Sequence, residues 1–143
     1  MIFEGPGKRF ELTLDGYEFP ELVDEMHDAN WLEVTVNVEL PDGSYTASSP
    51  CFLTWEVGWI AMWLDNVAHD VAQTSEIGGI EPKLGLEHIL TEGDMITLRI
   101  RAQHEMAPPW TDRIDGVTMD FTVPRSQVAE AAASLHAQLQ RFP

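Results

Sequence analysis

The feature of this sequence that most constrains its fold is the strict alternation of apolar and polar side chains. Four stretches show it clearly, residues 10–14, 32–40, 96–102 and 117–123. A period of two is typical of a β-strand with one buried face. The turn residues Pro41, Asp42 and Gly43 predict that residues 44–48 return as the second arm of a hairpin. Residues 83–89 are a weaker sixth candidate, and strands of this kind predict an antiparallel sheet with one wet face.

Two other segments carry apolar side chains at helical spacing. Thr54 can cap the N-terminus of a helix over about residues 54–73, and a second helix is expected over about residues 125–142. The first stripe consists of Val57, Ile60, Leu64, Val67 and Val71. The second consists of Val128, Ala132, Leu135, Leu139 and Phe142. We therefore predict one α+β domain over residues 1–143, in which a single antiparallel sheet of about six strands packs against the two helices.

Three tryptophans form a second stripe on the first predicted helix. Trp55, Trp59 and Trp63 are spaced by four residues, beside the apolar stripe. The combined apolar arc is wider than a surface helix needs. Either this helix is buried on two sides, or the tryptophan edge meets another molecule, such as a second copy in a homodimer. Aromatic side chains at helical spacing favour the core.

The charge is strongly negative, with 24 Asp and Glu against 8 Lys and Arg. A net charge of −16 argues against direct binding of nucleic acid or of anionic membranes. The single cysteine, Cys51, has no partner for an internal disulfide, and the N-terminus lacks the pattern of a signal peptide. We therefore expect a cytoplasmic protein.

The acidic side chains are concentrated in the first half of the chain. Residues 1–76 hold 15 of the acidic side chains and only 2 of the basic ones. The densest segment, residues 15–28, has no Lys or Arg and interleaves its acids with apolar side chains. Such a field would steer a basic partner, although an acidic segment can also be merely solvated.

Residues that could support catalysis are few. The five histidines are scattered, and there is no phosphate-binding glycine loop and no nucleophile motif. Cys51 lies between Pro50 and Phe52, where we expect a buried, inert thiol. Glu56 falls within the apolar arc, where burial would suit a general acid, but the first turn of a helix also favours an anion. We favour the second interpretation, and we predict no catalytic, cofactor-binding or metal-binding residues.

Five short motifs are less generic than the rest. They are DANWL at 28–32, PCFLTWE at 50–56, EPKL at 81–84, PPW at 108–110 and RFP at 141–143. Their order and spacing resemble the WapI family of bacterial immunity proteins over nearly the whole chain. Phe52 stands where the family pattern has leucine, and the stretch 55–63 is richer in tryptophan. The resemblance implies neutralisation of a toxin delivered between bacteria, for that family a nuclease that cuts transfer RNA.

These observations favour a non-enzymatic binding protein for a basic toxin domain. The candidate contacts are an acidic strip with two aromatic anchors: Tyr17, Glu18, Glu21, Asp24, Glu25, Asp28 and Trp110. The competing surface is the wet face of the predicted sheet: Thr35, Asn37, Arg99, Arg101 and Thr122. Inhibition by occlusion and inhibition from an exosite both stay open. The alternatives are a structural or homodimerising domain, and an enzyme that uses Glu56 in a pocket between helix and sheet.

Overall fold

A computed structural model describes residues 1–22 and 28–142, and these residues form eight strands and two helices. The strands are β1 (Ile2–Gly5), β2 (Lys8–Tyr17), β3 (Trp31–Leu40), β4 (Gly43–Leu53), β5 (Glu76–Gly78), β6 (Leu84–Glu92), β7 (Met95–Ala102) and β8 (Val117–Pro124). The helices are α1 (Thr54–Ala68) and α2 (Arg125–Leu139). None of the helices in this part of the chain is long and apolar enough to cross a membrane.

The strands form two antiparallel sheets of four, each in sequence order. β1 to β4 form the N-terminal sheet, and β5 to β8 form the C-terminal sheet. The predicted hairpin is present, and Leu40 pairs with Gly43 at its turn. The prediction of an α+β fold is therefore confirmed, but the prediction of a single sheet of about six strands is wrong. Alternation identifies the buried face of each strand and leaves open which strands pair, and α1 carries the chain from one sheet to the other.

Both sheets turn their apolar faces to one core. Near its centre, Phe10 of the N-terminal sheet, Ile100 of the C-terminal sheet, Ile60 of α1 and Leu135 of α2 line the same small void. Where β1 approaches β8, the rings of Phe3 and Phe121 lie 6.2 Å apart. Each sheet therefore keeps a separate outer face, which points away from the helices.

Helix α1 begins at the expected residue, but its N-cap differs from the predicted one. Leu53, rather than Thr54, is the N-cap residue, and its backbone N–H donates to the Glu56 carboxylate at 2.9 Å. The Thr54 hydroxyl instead lies 3.2 Å from the amide oxygen of Asn30. A carboxylate three residues after the cap satisfies an amide that would otherwise have no partner.

Both helices end earlier than the apolar stripes predict. α1 stops at Ala68 instead of about 73, because Asp70 takes a left-handed conformation (φ 61°) and Val71 N–H turns back to the carbonyl of Asn66. α2 stops at Leu139 instead of about 142. Beyond it, the ring of Phe142 still packs on the core as predicted.

The tryptophan stripe divides between core and solvent. Trp63 is buried, and its indole N–H donates to the carbonyl of Thr74 at 2.9 Å. Trp55 is half-buried, and Trp59 is 56% exposed. The prediction that this stripe is core is therefore confirmed for Trp63 and wrong for Trp59.

Candidate partner-binding surface

The two predicted aromatic anchors lie at opposite ends of the N-terminal sheet. Tyr17 pairs with Leu32 near the start of β3, whereas Trp110 packs beside the β3–β4 hairpin, with its ring 5.8 Å from that of Tyr45. Tyr45 pairs with Val38, six residues along β3 from Leu32. At about 3.3 Å per residue, the two anchors are about 20 Å apart. They do not form one cluster, although a standard interface is wide enough to cover both.

Tyr17 is only half available to a partner. Its ring meets that of Phe142 edge-on, with centroids 5.5 Å apart, and desolvation raises the pKa of its hydroxyl. Trp110 is 46% exposed and lies over Gly43, where an added Cβ would come 3.2 Å from the indole. Trp110 is therefore the better presented of the two anchors.

The predicted acidic strip is described only in part. Glu18 is half-buried and its backbone N–H donates to the carbonyl of Trp31 at 2.8 Å, while Glu21 is exposed. Asp24 and Glu25 lie outside the described residues, and of Asp28 only the backbone is described, at the start of a 3-10 turn. The described part of the strip follows β2 at one end of the N-terminal sheet.

The outer face of the N-terminal sheet extends this acidic region. Its acidic side chains, together the acidic face, are Glu4 on β1, Glu11 and Asp15 on β2, and Glu33 and Glu39 on β3. Arg9 is the basic side chain among them, 3.9 Å from Glu4 and 3.3 Å from Glu11. Lys8, the other cation in the first half of the sequence, donates to the carbonyl of Asp120 instead. The acidic face therefore carries more negative charge than its cation can neutralise.

Hydroxyl and amide groups fill the rest of this face. Thr35 donates to Asp15 and lies 2.7 Å from the hydroxyl of Ser48, and Thr46 donates to Asn37 at 2.7 Å. These cross-strand bonds fix the side chains on a pleated surface before any partner arrives. A shallow hollow of about 430 Å³ opens beside Glu39 and Arg9.

The outer face of the C-terminal sheet has a different electrostatic character. Arg99 binds Asp120 through two hydrogen bonds of 2.8 and 3.1 Å, and this contact lowers the pKa of Asp120. Arg101 lies 3.6 Å from Glu87 and 3.9 Å from Glu76. The predicted wet face, with Thr35, Asn37, Arg99, Arg101 and Thr122, is thus split. Thr35 and Asn37 lie on the acidic face of the N-terminal sheet. Arg99, Arg101 and Thr122 lie on the outer face of the C-terminal sheet.

The residues considered for catalysis have structural roles. Glu56 is buried, and its two oxygens accept the N–H groups of Leu53 and Ile80. Cys51 is buried, and desolvation raises the pKa of its thiol to about 12. Among the described residues, no three His, Cys, Asp or Glu side chains are grouped as metal ligands. Both oxygens of Glu56 are therefore engaged, and the expectation that the Cys51 thiol is buried agrees with the structure.

Four of the five sequence motifs connect neighbouring elements of the fold. Lys83 of the third motif donates to the Ser49 hydroxyl at 2.9 Å and to the Pro50 carbonyl at 2.7 Å. Near the chain end, Arg141 donates to the Leu14 carbonyl at 2.8 Å. These contacts, with the Thr54–Asn30 contact described above, place four of the motifs around the start of α1 and the end of β2, whereas Trp110 of the PPW motif lies beside the β3–β4 hairpin. The contacts of these four motifs therefore stabilise the fold, whereas Trp110 is exposed and is a candidate contact.

The sequence contained a signal for the acidic face that the initial prediction missed. Glu11, Glu33 and Glu39 occupy polar positions of alternating strands, within the half of the chain that carries most of the acidic residues. Counting charge by face, rather than by segment, would have separated this surface from that of Arg99 and Arg101.

Comparison with known proteins gives one match. Neither the curated proteins nor the solved structures contain a match to this chain. A family model described as the Immunity protein WapI-like family matches residues 1–143, which is the whole chain. The resemblance inferred from the motifs is thereby confirmed, and the chain belongs to this family of toxin-immunity proteins.

Proposed function

We propose that this protein neutralises a basic toxin domain by binding it, without catalysis, through the acidic face. The observation that carries the proposal is the excess charge of this face, which has five acidic side chains and one arginine. On the outer face of the C-terminal sheet, Asp120 is instead paired with Arg99, and Glu76 and Glu87 lie beside Arg101. The acidic face therefore offers more unneutralised negative charge to the Lys and Arg of a partner.

A toxin that acts on nucleic acid fits this surface because it must present clustered Lys and Arg to phosphate groups. We therefore propose a nuclease domain at the C-terminal end of an exported protein as the partner, bound in the cytoplasm of the bacterium that makes both. Charge would accelerate the encounter, and Trp110 would supply a buried apolar anchor at one end of the interface. The described part of the acidic strip, Glu18 and Glu21, would extend the contact at the other end.

The test uses the C-terminal domain of the exported protein encoded immediately upstream, purified as an inactive variant. Its affinity is measured by calorimetry for wild type and for the double variant Glu33→Lys/Glu39→Lys. The matched control is Glu92→Lys/Glu130→Lys, which makes the same change in net charge at two exposed sites away from the acidic face. We expect the first variant to bind at least about tenfold more weakly, which is about 1.4 kcal/mol, and the control to change affinity little.

Three outcomes would contradict the proposal. Absence of wild-type binding at low salt would reject this toxin domain as the partner. Equal weakening by both double variants would mean that net charge, rather than the acidic face, determines affinity. Full affinity of Glu33→Lys/Glu39→Lys would move the interface elsewhere, and the variant Asp24→Lys/Glu25→Lys then tests the acidic strip. Competition with a nucleic acid substrate distinguishes occlusion from exosite binding.

A further inference from the structure

The two helices form an apolar groove on the surface of the molecule. They run antiparallel, because Gly58 of α1 faces Leu139 of α2 while Arg125 at the start of α2 donates to the carbonyl of Ala68 at 2.8 Å. The groove between them has a volume of about 580 Å³. This helical groove is lined by Trp55, Gly58, Trp59, Ala61, Met62, Asp65, Ala129, Ala132, Ala133, His136 and Leu139.

The rim of the helical groove exposes large apolar side chains. Trp59 is 56% exposed and Met62 is 62% exposed, three residues apart on the same helix. Single exposed apolar residues are ordinary, but an adjoining tryptophan and methionine beside a groove form a contiguous patch. A patch of this kind marks a contact surface.

The helical groove is poor in charge, in a molecule that has a large excess of acid. Its one acidic side chain is Asp65, and the exposed acids of the two helices are Asp65 and Glu130. Glu56 is also on α1, but it is buried. A basic partner would find little to attract it here, whereas two copies of the protein, each at −16, could approach through this surface with the least repulsion.

We propose that the helical groove is the interface of a homodimer. The same groove on each copy would meet its equivalent across a two-fold axis, so that Trp59 and Met62 become buried. The acidic face lies on the outer side of the N-terminal sheet, and the helices pack on its inner side. A dimer therefore leaves the acidic face of both copies available to toxin.

The area of the two helices indicates how tightly such a dimer can associate. A fifteen-residue helix is about 22 Å long, and two adjacent helices are about 20 Å wide. The projected area is about 450 Å², less than the roughly 800 Å² per partner of a standard interface. The dimer is therefore weak, and it forms at high protein concentration. Added salt strengthens it, since salt screens the repulsion between two acidic copies.

The test is sedimentation equilibrium of the full chain from about 10 µM to about 1 mM, at low and at high salt. We expect a dimer whose fraction rises with both concentration and salt. Met62→Glu and, independently, Ala133→Glu should weaken association at least tenfold, since each places two additional carboxylates in the interface. Ile114→Glu is the matched control, because it changes an exposed apolar side chain to Glu in a loop away from the helices.

Circular dichroism checks that each variant keeps its fold, which is expected because both substituted groove positions are exposed. A monomer at every concentration and salt would overturn the proposal. So would a dimer that survives both Met62→Glu and Ala133→Glu, or one that Ile114→Glu weakens equally. The toxin-binding variant Glu33→Lys/Glu39→Lys should keep the dimer, so the two proposals fail separately.

Discussion

The carboxylate of Glu56 accepts a 2.6 Å hydrogen bond from the backbone N–H of Ile80, a residue that follows it by 24 positions. Its other oxygen accepts the N–H of Leu53 at the start of α1. One buried side chain thus joins the entrance of the helix to the chain that leads into β6. Next to it, a Cβ at Gly79 would come 3.1 Å from the carboxylate. A side chain at position 79 would crowd the Glu56 carboxylate, and glycine leaves room for it.

We predict that Glu56→Gln lowers the free energy of unfolding by about 1–3 kcal/mol. The amide keeps one acceptor oxygen, and its NH₂ group then faces a backbone N–H that loses its partner. Urea unfolding of wild type and variant measures the difference. Glu130→Gln is the control, because this exposed side chain on α2 should change stability by less than about 0.5 kcal/mol. Equal stability of Glu56→Gln and wild type would show that the two hydrogen bonds of Glu56 do not stabilise the fold.

A second joint depends on Lys83. Its ammonium group donates to Pro50 and Ser49 and lies 3.2 Å from Glu105, and its side chain is 15% exposed. We predict that Lys83→Met destabilises the protein by about 1–3 kcal/mol, because the carbonyl of Pro50 and the hydroxyl of Ser49 each lose a charged donor at a partly buried site. Thermal unfolding measures the loss.

The contact with Glu105 is a smaller part of that effect. Glu105→Gln keeps both hydrogen bonds from Lys83 to β4 and removes only a carboxylate that is 53% exposed. It should therefore cost less than Lys83→Met. If the two variants were equally unstable, the stabilisation would come from the ion pair of Lys83 with Glu105 rather than from the hydrogen bond of Lys83 to the Pro50 carbonyl.

The pair of Arg99 and Asp120 predicts a specific pH dependence. The guanidinium hydrogen bonds hold the pKa of Asp120 below its usual value. The contribution of this pair is therefore complete above the unfolded-state pKa of about 3.9, and it is lost as the pH falls through the lower folded-state value. Asp120→Asn should be less stable than wild type at neutral pH, with a difference that shrinks below about pH 4.

Urea unfolding between pH 7 and the acid transition measures this difference directly. Asp115→Asn provides the control, since Asp115 is an exposed loop residue outside this pair, and its difference from wild type should stay nearly constant. A difference for Asp120→Asn that grows toward low pH would have the wrong sign and would reject the explanation.

The sequence alone predicts the elements of this fold better than their arrangement. Alternation identified β2, β3, β7 and β8. Each of these strands buries one face, so its own residues alternate between apolar and polar. The pairing of strands depends on contacts between distant residues, such as Phe3 with Phe121, which a local pattern does not contain. The single-sheet prediction failed for that reason.

The same distinction applies to the candidate site. The acidic character of the first half was visible in the sequence, and so was Trp110 as an aromatic loop residue. The distance between Trp110 and Tyr17 depends on which end of β3 each lies beside, and pairing determines that. The exposure of Trp59 likewise depends on the place where α2 docks, which the stripe of three tryptophans cannot specify.

Cys51 offers a test of the core at the end of β4. The side chain is fully buried, and burial raises the pKa of its thiol to about 12. At pH 8 the thiolate is therefore a fraction of about one in ten thousand, against roughly one in four for a free thiol of pKa 8.5. We predict that the native protein reacts with a chromogenic disulfide at least a thousandfold more slowly than the protein unfolded in urea. The absorbance of the released thiol gives both rates on one sample, with glutathione in the same urea as the control for the reagent. A native rate close to the unfolded rate would mean that the joint between β4 and α1 opens readily, which conflicts with the contacts of Lys83 and Glu56.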